Sequence, residues 1–352
     1  MDGKNYSAKN SWGGYRASSL SYLRIFATIM VVASHAWSTL TENSSSFSMT
    51  QSEIIYVGIL SDLTKWAVPC FLMITGALLL KKDKEITVSD CIWKYARRML
   101  LALVIFGIPY AMLMIYFDSK HFSFSLIPES IIRVLNGDSF GHLWYLYTLI
   151  GIYLFLPFIK LFVNNASKQV FNYIVILLFI MNFCFPFVDK LAGTSIAFEI
   201  PIKTWPLFFV LSGYYLYNEI DNRNVSLIIP TIGIGISVLL IIIVNIMSET
   251  AVTIMSYNTP VNALFTISVF ILFIRIRKES TDCLWKLDRL CFGAYLIHPL
   301  FIQFCYRYLH LVPTGNTFYP ILTVVFACVF ALLGFFASWV MSQIKPLKKY
   351  VL

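Results

Sequence analysis

The sequence predicts an all-α, polytopic membrane protein of about ten transmembrane helices with both termini in the cytoplasm. Hydrophobic residues make up 58% of the 352 residues and charged residues only 13%, with a mean hydropathy of +0.74, which is too apolar for a soluble domain of this length. Apolar runs of roughly 17 to 25 residues, the length that crosses a bilayer, recur along the whole chain. No polar block is long enough for a separate soluble domain, so we expect one membrane domain over residues 1–352.

The apolar runs place the helices in chain order, and the first run is retained. It is too long for the apolar core of a signal peptide and lacks a small-residue cleavage site. The ten predicted spans are 18–40, 55–80, 95–117, 142–162, 170–187, 201–217, 226–247, 259–275, 289–308 and 319–343.

The net charge of +9 is explained by membrane orientation rather than by a nucleic-acid partner. Alternate connections, together with the N-terminal segment, carry 20 of the 27 Lys and Arg residues. Because cytoplasmic loops are enriched in Lys and Arg, this places both termini in the cytoplasm. The opposite side carries five: Lys120, Arg133, Lys190, Lys203 and Arg307.

The seven cysteines form no CxxC pair and lie in or beside predicted helices. We interpret them as packing residues and predict neither a disulfide framework nor a metal site.

The first helix carries two ionisable residues inside the apolar run YLRIFATIMVVASHAW (22–37). Arg24 and His35 are eleven residues apart, so they lie about 20° apart around the helix and about 16 Å apart along it. Exposing either group to lipid costs on the order of several kcal/mol, which favours a functional path along one protein-facing side. The alternative is that Arg24 extends to the headgroups and His35 bonds a neighbouring helix.

Arg24, ten intervening residues and His35 resemble the signature of the acyltransferase 3 family of integral membrane acyltransferases. The chain is most similar to the short subgroup that contains the intercellular adhesion C proteins and the enterobacterial common antigen O-acetyltransferase. Further matching stretches, in order, are PCFLMITGALLL (69–80), KYARRMLLALVIFGIPY (94–110), HLWYLYTLIGIYLFLP (142–157) and, more loosely, FGAYLIHPLF (292–301).

The resemblance implies an enzyme of the bacterial cytoplasmic membrane. It would move an acyl group, in our interpretation acetyl from acetyl-CoA, from cytoplasmic acyl-CoA to a hydroxyl of an extracytoplasmic glycan or lipid-linked sugar. The pantetheine arm would extend from Arg24 to His35, and His35 would act as general base because imidazole titrates near neutrality. A covalent acyl-histidine relay is the alternative mechanism. Many larger members carry glutamates where this chain has Leu149 and Ile150.

Donor phosphates have a candidate site before the third helix. Arg97 and Arg98, with Lys94 beside them, would bind the phosphates of coenzyme A together with Arg24, because guanidinium groups bind phosphate bidentately. Topology alone equally explains the whole basic cluster, which comprises Lys81, Lys82, Lys84, Lys94, Arg97 and Arg98.

Asp62 and Lys65 lie one turn apart in the outer half of the second helix. An internal ion pair is the simpler interpretation. The alternative is that one of them orients His35 or contacts the acceptor, since buried ionisable groups in membranes are commonly functional.

Other candidates for acceptor binding or support lie farther along the chain. His142, Trp144 and Tyr145 begin the fourth helix on the outer side, where Trp144 is either a membrane-interface residue or part of a sugar-stacking platform. His298, beside Pro299 in the ninth helix, either bridges helices or takes part in the reaction.

The pattern P-x-F-x-x-x-[ST]-G occurs twice, in PCFLMITG (69–76) and PLFFVLSG (206–213). It is either a relic of duplication or an accident of composition, and we favour accident slightly. Pro and Gly in paired membrane helices are also typical of transporters. A transporter or flippase of a polysaccharide precursor or small solute is therefore the rival to the enzyme.

Overall fold

A computed structural model describes residues 3–119, 126–193, 205–219, 226–247, 256–276, 278–279 and 281–352, with side chains described from residue 18 onward except at 117–119 and 191–192. The described residues form helices and connections, and none of them forms a strand, which confirms the all-α prediction for this part of the chain. Lys120, Lys203, Arg223 and Arg277, which enter the charge count, and residues 201–204 of the sixth predicted span lie outside the described residues.

The described part of the chain contains the following helices, in chain order. They are α1 (Gly3–Glu42), α2 (Gln51–Asp62), α3 (Ala67–Leu79), α4 (Arg97–Ser119), α5 (Leu126–Leu135), α6 (Trp144–Asn165), α7 (Lys168–Phe179), α8 (Phe185–Ala192), α9 (Trp205–Tyr214), α10 (Ile228–Met247), α11 (Pro260–Ile274), α12 (Asp282–Gln303), α13 (Tyr319–Met341) and α14 (Lys345–Tyr350). Turns of π-helix adjoin several of them, at Asp90–Ala96, Ile180–Cys184, Tyr215–Glu219 and Phe304–Tyr308.

Seven described stretches are long and apolar enough to cross a membrane, so the chain is confirmed as a multi-pass membrane protein. They correspond to seven of the ten predicted spans. These stretches are Ser18–Glu42, Gln51–Leu79, Asp90–Tyr116, Gly141–Asn165, Lys168–Lys190, Ile228–Met247 and Tyr319–Met341.

The described parts of the other three predicted spans are helical but fall outside this class, so the count of ten is not confirmed. α11 has 15 residues and is about 22 Å long, shorter than the roughly 30 Å hydrocarbon core. The described part of α9 has only 10 residues before its π-helical turn. α12 is long enough, but its first turns carry charged residues such as Lys286 and Asp288.

Chain contacts divide the protein into two compact units. One comprises residues 1–81 and 167–338, and the other comprises residues 82–166 and 339–352. The prediction of a single membrane domain stays a prediction.

In the first unit, α1 packs against α2, α3, α11 and α12. Arg24 contacts Asp288 and His35 contacts His298, so residue numbers rise together on α1 and α12 and the two helices run parallel. Towards their C-terminal ends the two helices share an apolar core in which Val32, Ala36 and Leu40 pack with Ile302 and Tyr306. This packing holds the two polar contacts at fixed positions along α1.

The repeated P-x-F-x-x-x-[ST]-G pattern lies where α3 and α9 cross. A Cβ on Gly76 would lie 1.8 Å from the carbonyl oxygen of Val210, and a Cβ on Gly213 would lie 2.1 Å from that of Met73. Met73 and Val210 occupy the same position in the two copies, so the contact is reciprocal. Both glycines are needed because the two backbones touch. The repeated pattern therefore has a packing role, whichever way it arose.

In the second unit, α4 packs against α5 and α6, and the π-helical turn before α4 also contacts α6. Gly107 allows α5 to approach α4, because a Cβ there would lie 3.2 Å from a methyl group of Val134.

Candidate functional site

Arg24 forms an ion pair with Asp288 on α12. Its Nη1 lies 2.6 Å from both carboxylate oxygens, and the Ser21 hydroxyl donates to the same carboxylate at 3.1 Å. The side chain of Arg24 is 27% exposed and that of Asp288 is 8% exposed. Arg24 is therefore held by protein, in a position where part of its guanidinium stays accessible.

His35 contacts a second histidine, His298, with ring centroids 5.2 Å apart. His298 is fully buried, and its Nδ1 lies 2.8 Å from the carbonyl oxygen of Tyr295. Because a carbonyl oxygen only accepts, Nδ1 carries the proton and Nε2 of the neutral ring carries the lone pair. The structure thus brings together two of the histidines that the sequence singled out.

The two contacts are arranged along one pair of parallel helices. Ten or eleven residues separate them on each helix, which corresponds to about 15 to 16 Å. The predicted common face of Arg24 and His35 is therefore the face that packs on α12. The Arg24–Asp288 contact is an ion pair able to hold an anion beside Arg24, and the His35–His298 contact is a pair of imidazoles able to accept a proton.

Asp62 and Lys65 form the predicted ion pair, with Nζ 2.8 Å from Oδ1. Asn245 of α10 donates to the other carboxylate oxygen at 2.9 Å. Because the carboxylate has both a cation and an amide donor, the internal ion pair is confirmed. A role for either residue in binding the acceptor stays a prediction.

His142, Trp144 and Tyr145 lie at the start of α6 in the second unit. His142 is buried, and its ring makes edge contacts with Tyr110 and Phe140. Tyr145 is also buried, whereas Trp144 is half-buried. Of the predicted sugar platform, only the Trp144 ring therefore has surface available for stacking.

Lys94, Arg97 and Arg98 border a cavity of about 370 Å³ in the second unit. Arg98 bonds backbone atoms across the cavity, with Nε 2.6 Å from the carbonyl oxygen of Val351 and Nη2 bonded to that of Leu352. Lys94 and Arg97 are exposed. The predicted phosphate ligands of the third helix therefore lie together, and Arg98 is already engaged by the chain. Arg24 belongs to the other unit.

Sequence reasoning did not select Asp288, which is the partner of Arg24. Asp288 lies between the predicted spans 259–275 and 289–308, in a connection rather than in a predicted helix. Asp288 lies ten residues before His298, one residue fewer than the eleven between Arg24 and His35, and this similar spacing was the available signal.

The family model described as an acyltransferase domain, that of the acyltransferase 3 family, matches residues 18–342. The match includes Arg24, His35, Asp288 and His298. Searches of curated proteins and of solved structures find no match.

Proposed function

We propose, from the premise that this chain belongs to the acyltransferase 3 family, that it transfers an acetyl group from cytoplasmic acetyl-CoA to a hydroxyl of an extracytoplasmic glycan or lipid-linked sugar. The family makes the chain a membrane acyltransferase. The acetyl group, the coenzyme A donor, the sugar acceptor and the bacterial cytoplasmic membrane are our proposal. The observation that carries it is the contact of His35 with His298 on the helix pair that also joins Arg24 to Asp288.

In the proposed reaction, the acceptor hydroxyl oxygen attacks the thioester carbonyl carbon. A carbon–oxygen bond forms, the carbon–sulfur bond breaks, and coenzyme A leaves. His35 takes the hydroxyl proton as general base and then gives it to the leaving sulfur, which departs as a thiol. This step needs a histidine held in place, and the ring contact with His298 supplies that support.

His298 acts as a positioning residue in this proposal. The hydrogen bond from Nδ1 to the Tyr295 carbonyl oxygen holds its ring, and its ring packs against that of His35. Gly334 of α13 lies behind it, since a Cβ there would be 3.5 Å from the His298 Cβ. A fixed neighbour limits the orientations of His35, and orientation contributes strongly to catalysis.

Arg24 binds a donor phosphate in this proposal while it remains paired with Asp288. A guanidinium has five N–H donors, and the ion pair uses Nη1, so other donors remain for a phosphate oxygen. Asp288 orients the guanidinium and compensates its charge when the donor is absent. The 16 Å or so between Arg24 and His35 then accommodates the arm between phosphate and thioester.

The test uses inside-out membrane vesicles from cells that produce the chain, supplied with acetyl-CoA labelled in the acetyl group. We expect release of coenzyme A thiol together with labelled acetyl on a membrane glycan or lipid-linked sugar, identified by mass spectrometry. Movement of a sugar across the vesicle membrane with no acetyl transfer would refute the proposal and establish the transporter. Transfer to a protein or lipid alone would refute the sugar acceptor.

A further inference from the structure

The cavity of about 370 Å³ in the second unit is built from two segments that are distant in sequence. The first segment is the π-helical turn at Asp90–Ala96 with the start of α4. The second is α14 and the two residues that follow it. The lining residues are Trp93, Lys94, Arg97, Arg98, Lys348, Lys349, Tyr350 and Leu352.

The cavity is strongly cationic. Five of its eight lining residues are Lys or Arg, and no lining residue is Asp or Glu among those that the structure describes. The carboxylate of Asp90, one turn before Lys94, is already engaged, because it accepts hydrogen bonds from the Thr87 amide and hydroxyl at 3.1 and 2.8 Å. Cations gathered around one cavity repel each other, so a bound anion would relieve an unfavourable electrostatic energy.

Arg98 holds the second segment in place. Its guanidinium donates to the main-chain oxygens of Val351 and Leu352, and Val351 is only 1% exposed. These contacts position Lys348 and Lys349, one turn earlier, at the cavity that Lys94 and Arg97 border. The positive-inside rule explains why basic residues lie in a loop on one side of the membrane. It does not explain why they line a concave site or why a second segment is anchored beside them.

Two aromatic rings accompany the cations. Trp93 is 62% exposed and Tyr350 is 44% exposed, and both line the cavity. An exposed aromatic face beside Lys and Arg is the combination that binds the base and the phosphates of a nucleotide.

We propose that this cavity binds phosphate ester groups, that Lys94, Arg97, Lys348 and Lys349 are its ligands, and that Arg98 is the anchor of α14 rather than a ligand. This inference rests on the proposed function in one respect, namely that the phosphates belong to the adenosine 3′,5′-bisphosphate portion of acyl-CoA. An anionic phospholipid headgroup presents the same chemistry, and the experiment separates the two sources.

The first test uses the wild-type protein in nanodiscs of phosphatidylcholine. Lysines are acetylated chemically with and without adenosine 3′,5′-bisphosphate, and their labelling is read by peptide mass spectrometry. We expect the bisphosphate to protect Lys348 and Lys349 at least about fivefold, which corresponds to about 1 kcal/mol. Lys345 is exposed on the same helix and does not line the cavity, so it should label equally in both samples.

A phospholipid arm repeats this labelling in nanodiscs that contain phosphatidylglycerol, without bisphosphate. Protection of Lys348 and Lys349 only in this arm supports the site and identifies its ligand as a lipid headgroup. Protection by bisphosphate in neutral lipid supports the site and its nucleotide source. Labelling of Lys348 and Lys349 that matches Lys345 in both arms overturns the proposal.

Matched variants then measure bisphosphate affinity by calorimetry. We expect the Lys348→Ala/Lys349→Ala variant to bind roughly 5- to 50-fold more weakly, and Lys345→Ala to bind as the wild type does. Equal losses in both variants would indicate diffuse electrostatic attraction and overturn the site. If bisphosphate binding is intact while acyl transfer is absent from the wild type, the proposed function fails and the site stands.

Discussion

Replacing Gly76 or Gly213 by alanine tests the crossing of α3 and α9. The added Cβ of Gly76→Ala would lie 1.8 Å from the Val210 carbonyl oxygen, and that of Gly213→Ala would lie 2.1 Å from the Met73 carbonyl oxygen. Both obstacles are backbone atoms, so no side-chain rotation relieves the overlap. The two helices must separate by about 1 Å before the contacts become tolerable.

The expected cost follows from this geometry. Overpacking against a rigid neighbour costs up to about 3 kcal/mol, and the better helix propensity of alanine returns about 1 kcal/mol. Each variant should therefore lose about 2 kcal/mol of stability. At about 2 to 4 °C per kcal/mol for a large chain, Tm should fall by about 4 to 8 °C.

The assay is thermal unfolding of the purified protein in one detergent. Unfolding is detected by the reaction of a thiol reagent with the cysteines that are buried in the folded protein, Cys70, Cys91 and Cys291. Gly235→Ala is the matched control, because a Cβ at this position in α10 meets nothing within 4 Å. The double variant should lose less than the sum of the single losses, since separation for one alanine accommodates part of the other. Tm values of Gly76→Ala and Gly213→Ala equal to that of Gly235→Ala would refute the close crossing.

Three further predictions concern the polar groups and the orientation. Arg24→Ala and Asp288→Ala should each lower acetyl-CoA affinity, and a double-mutant cycle should give a coupling energy of at least about 0.5 kcal/mol. Additive losses would show that the two residues act independently in binding. Asp62→Ala should destabilise the protein by about 3 to 5 kcal/mol because it removes the carboxylate that pairs with the mostly buried Lys65, whereas Asp62→Leu/Lys65→Met should cost much less; a larger loss in the double variant than in Asp62→Ala, measured by thermal unfolding, would contradict the ion pair. In intact cells, an impermeant maleimide should label Ser45→Cys and spare Glu279→Cys, and labelling of Glu279→Cys would reverse the orientation.

The features of one helix were predictable from the sequence, whereas the contacts between distant helices were not. The spacing of Arg24 and His35 defined their common face because helical periodicity is local. Their partners Asp288 and His298 lie more than 260 residues later, and only the parallel packing of α1 and α12 brings them together. The hydropathy of residues 289–308 indicated a helix, but not that its charged beginning would extend the pairing with α1.

The basic cluster illustrates a second limit of sequence reasoning. Arg97 and Arg98 are adjacent in sequence and were given the same role, yet Arg98 bonds the Val351 and Leu352 carbonyl oxygens while Arg97 is exposed. Adjacent residues on a helix point about 100° apart, so their partners differ. Whether Arg97 or Arg98 bonds the residues that follow α14 depends on where α14 packs, which the local sequence does not reveal.

If His35 is the general base of an acetyl transfer, single-turnover transfer from labelled acetyl-CoA by His35→Ala measures its contribution directly. The control is His310→Asn, because His310 is exposed at a positive φ of 53° that asparagine tolerates. We expect His35→Ala to bind acetyl-CoA nearly as the wild type does and to transfer about 10²- to 10⁴-fold more slowly, while His310→Asn keeps both properties. Transfer by His35→Ala at the wild-type rate and at equal protein level would show that His35 is not the general base.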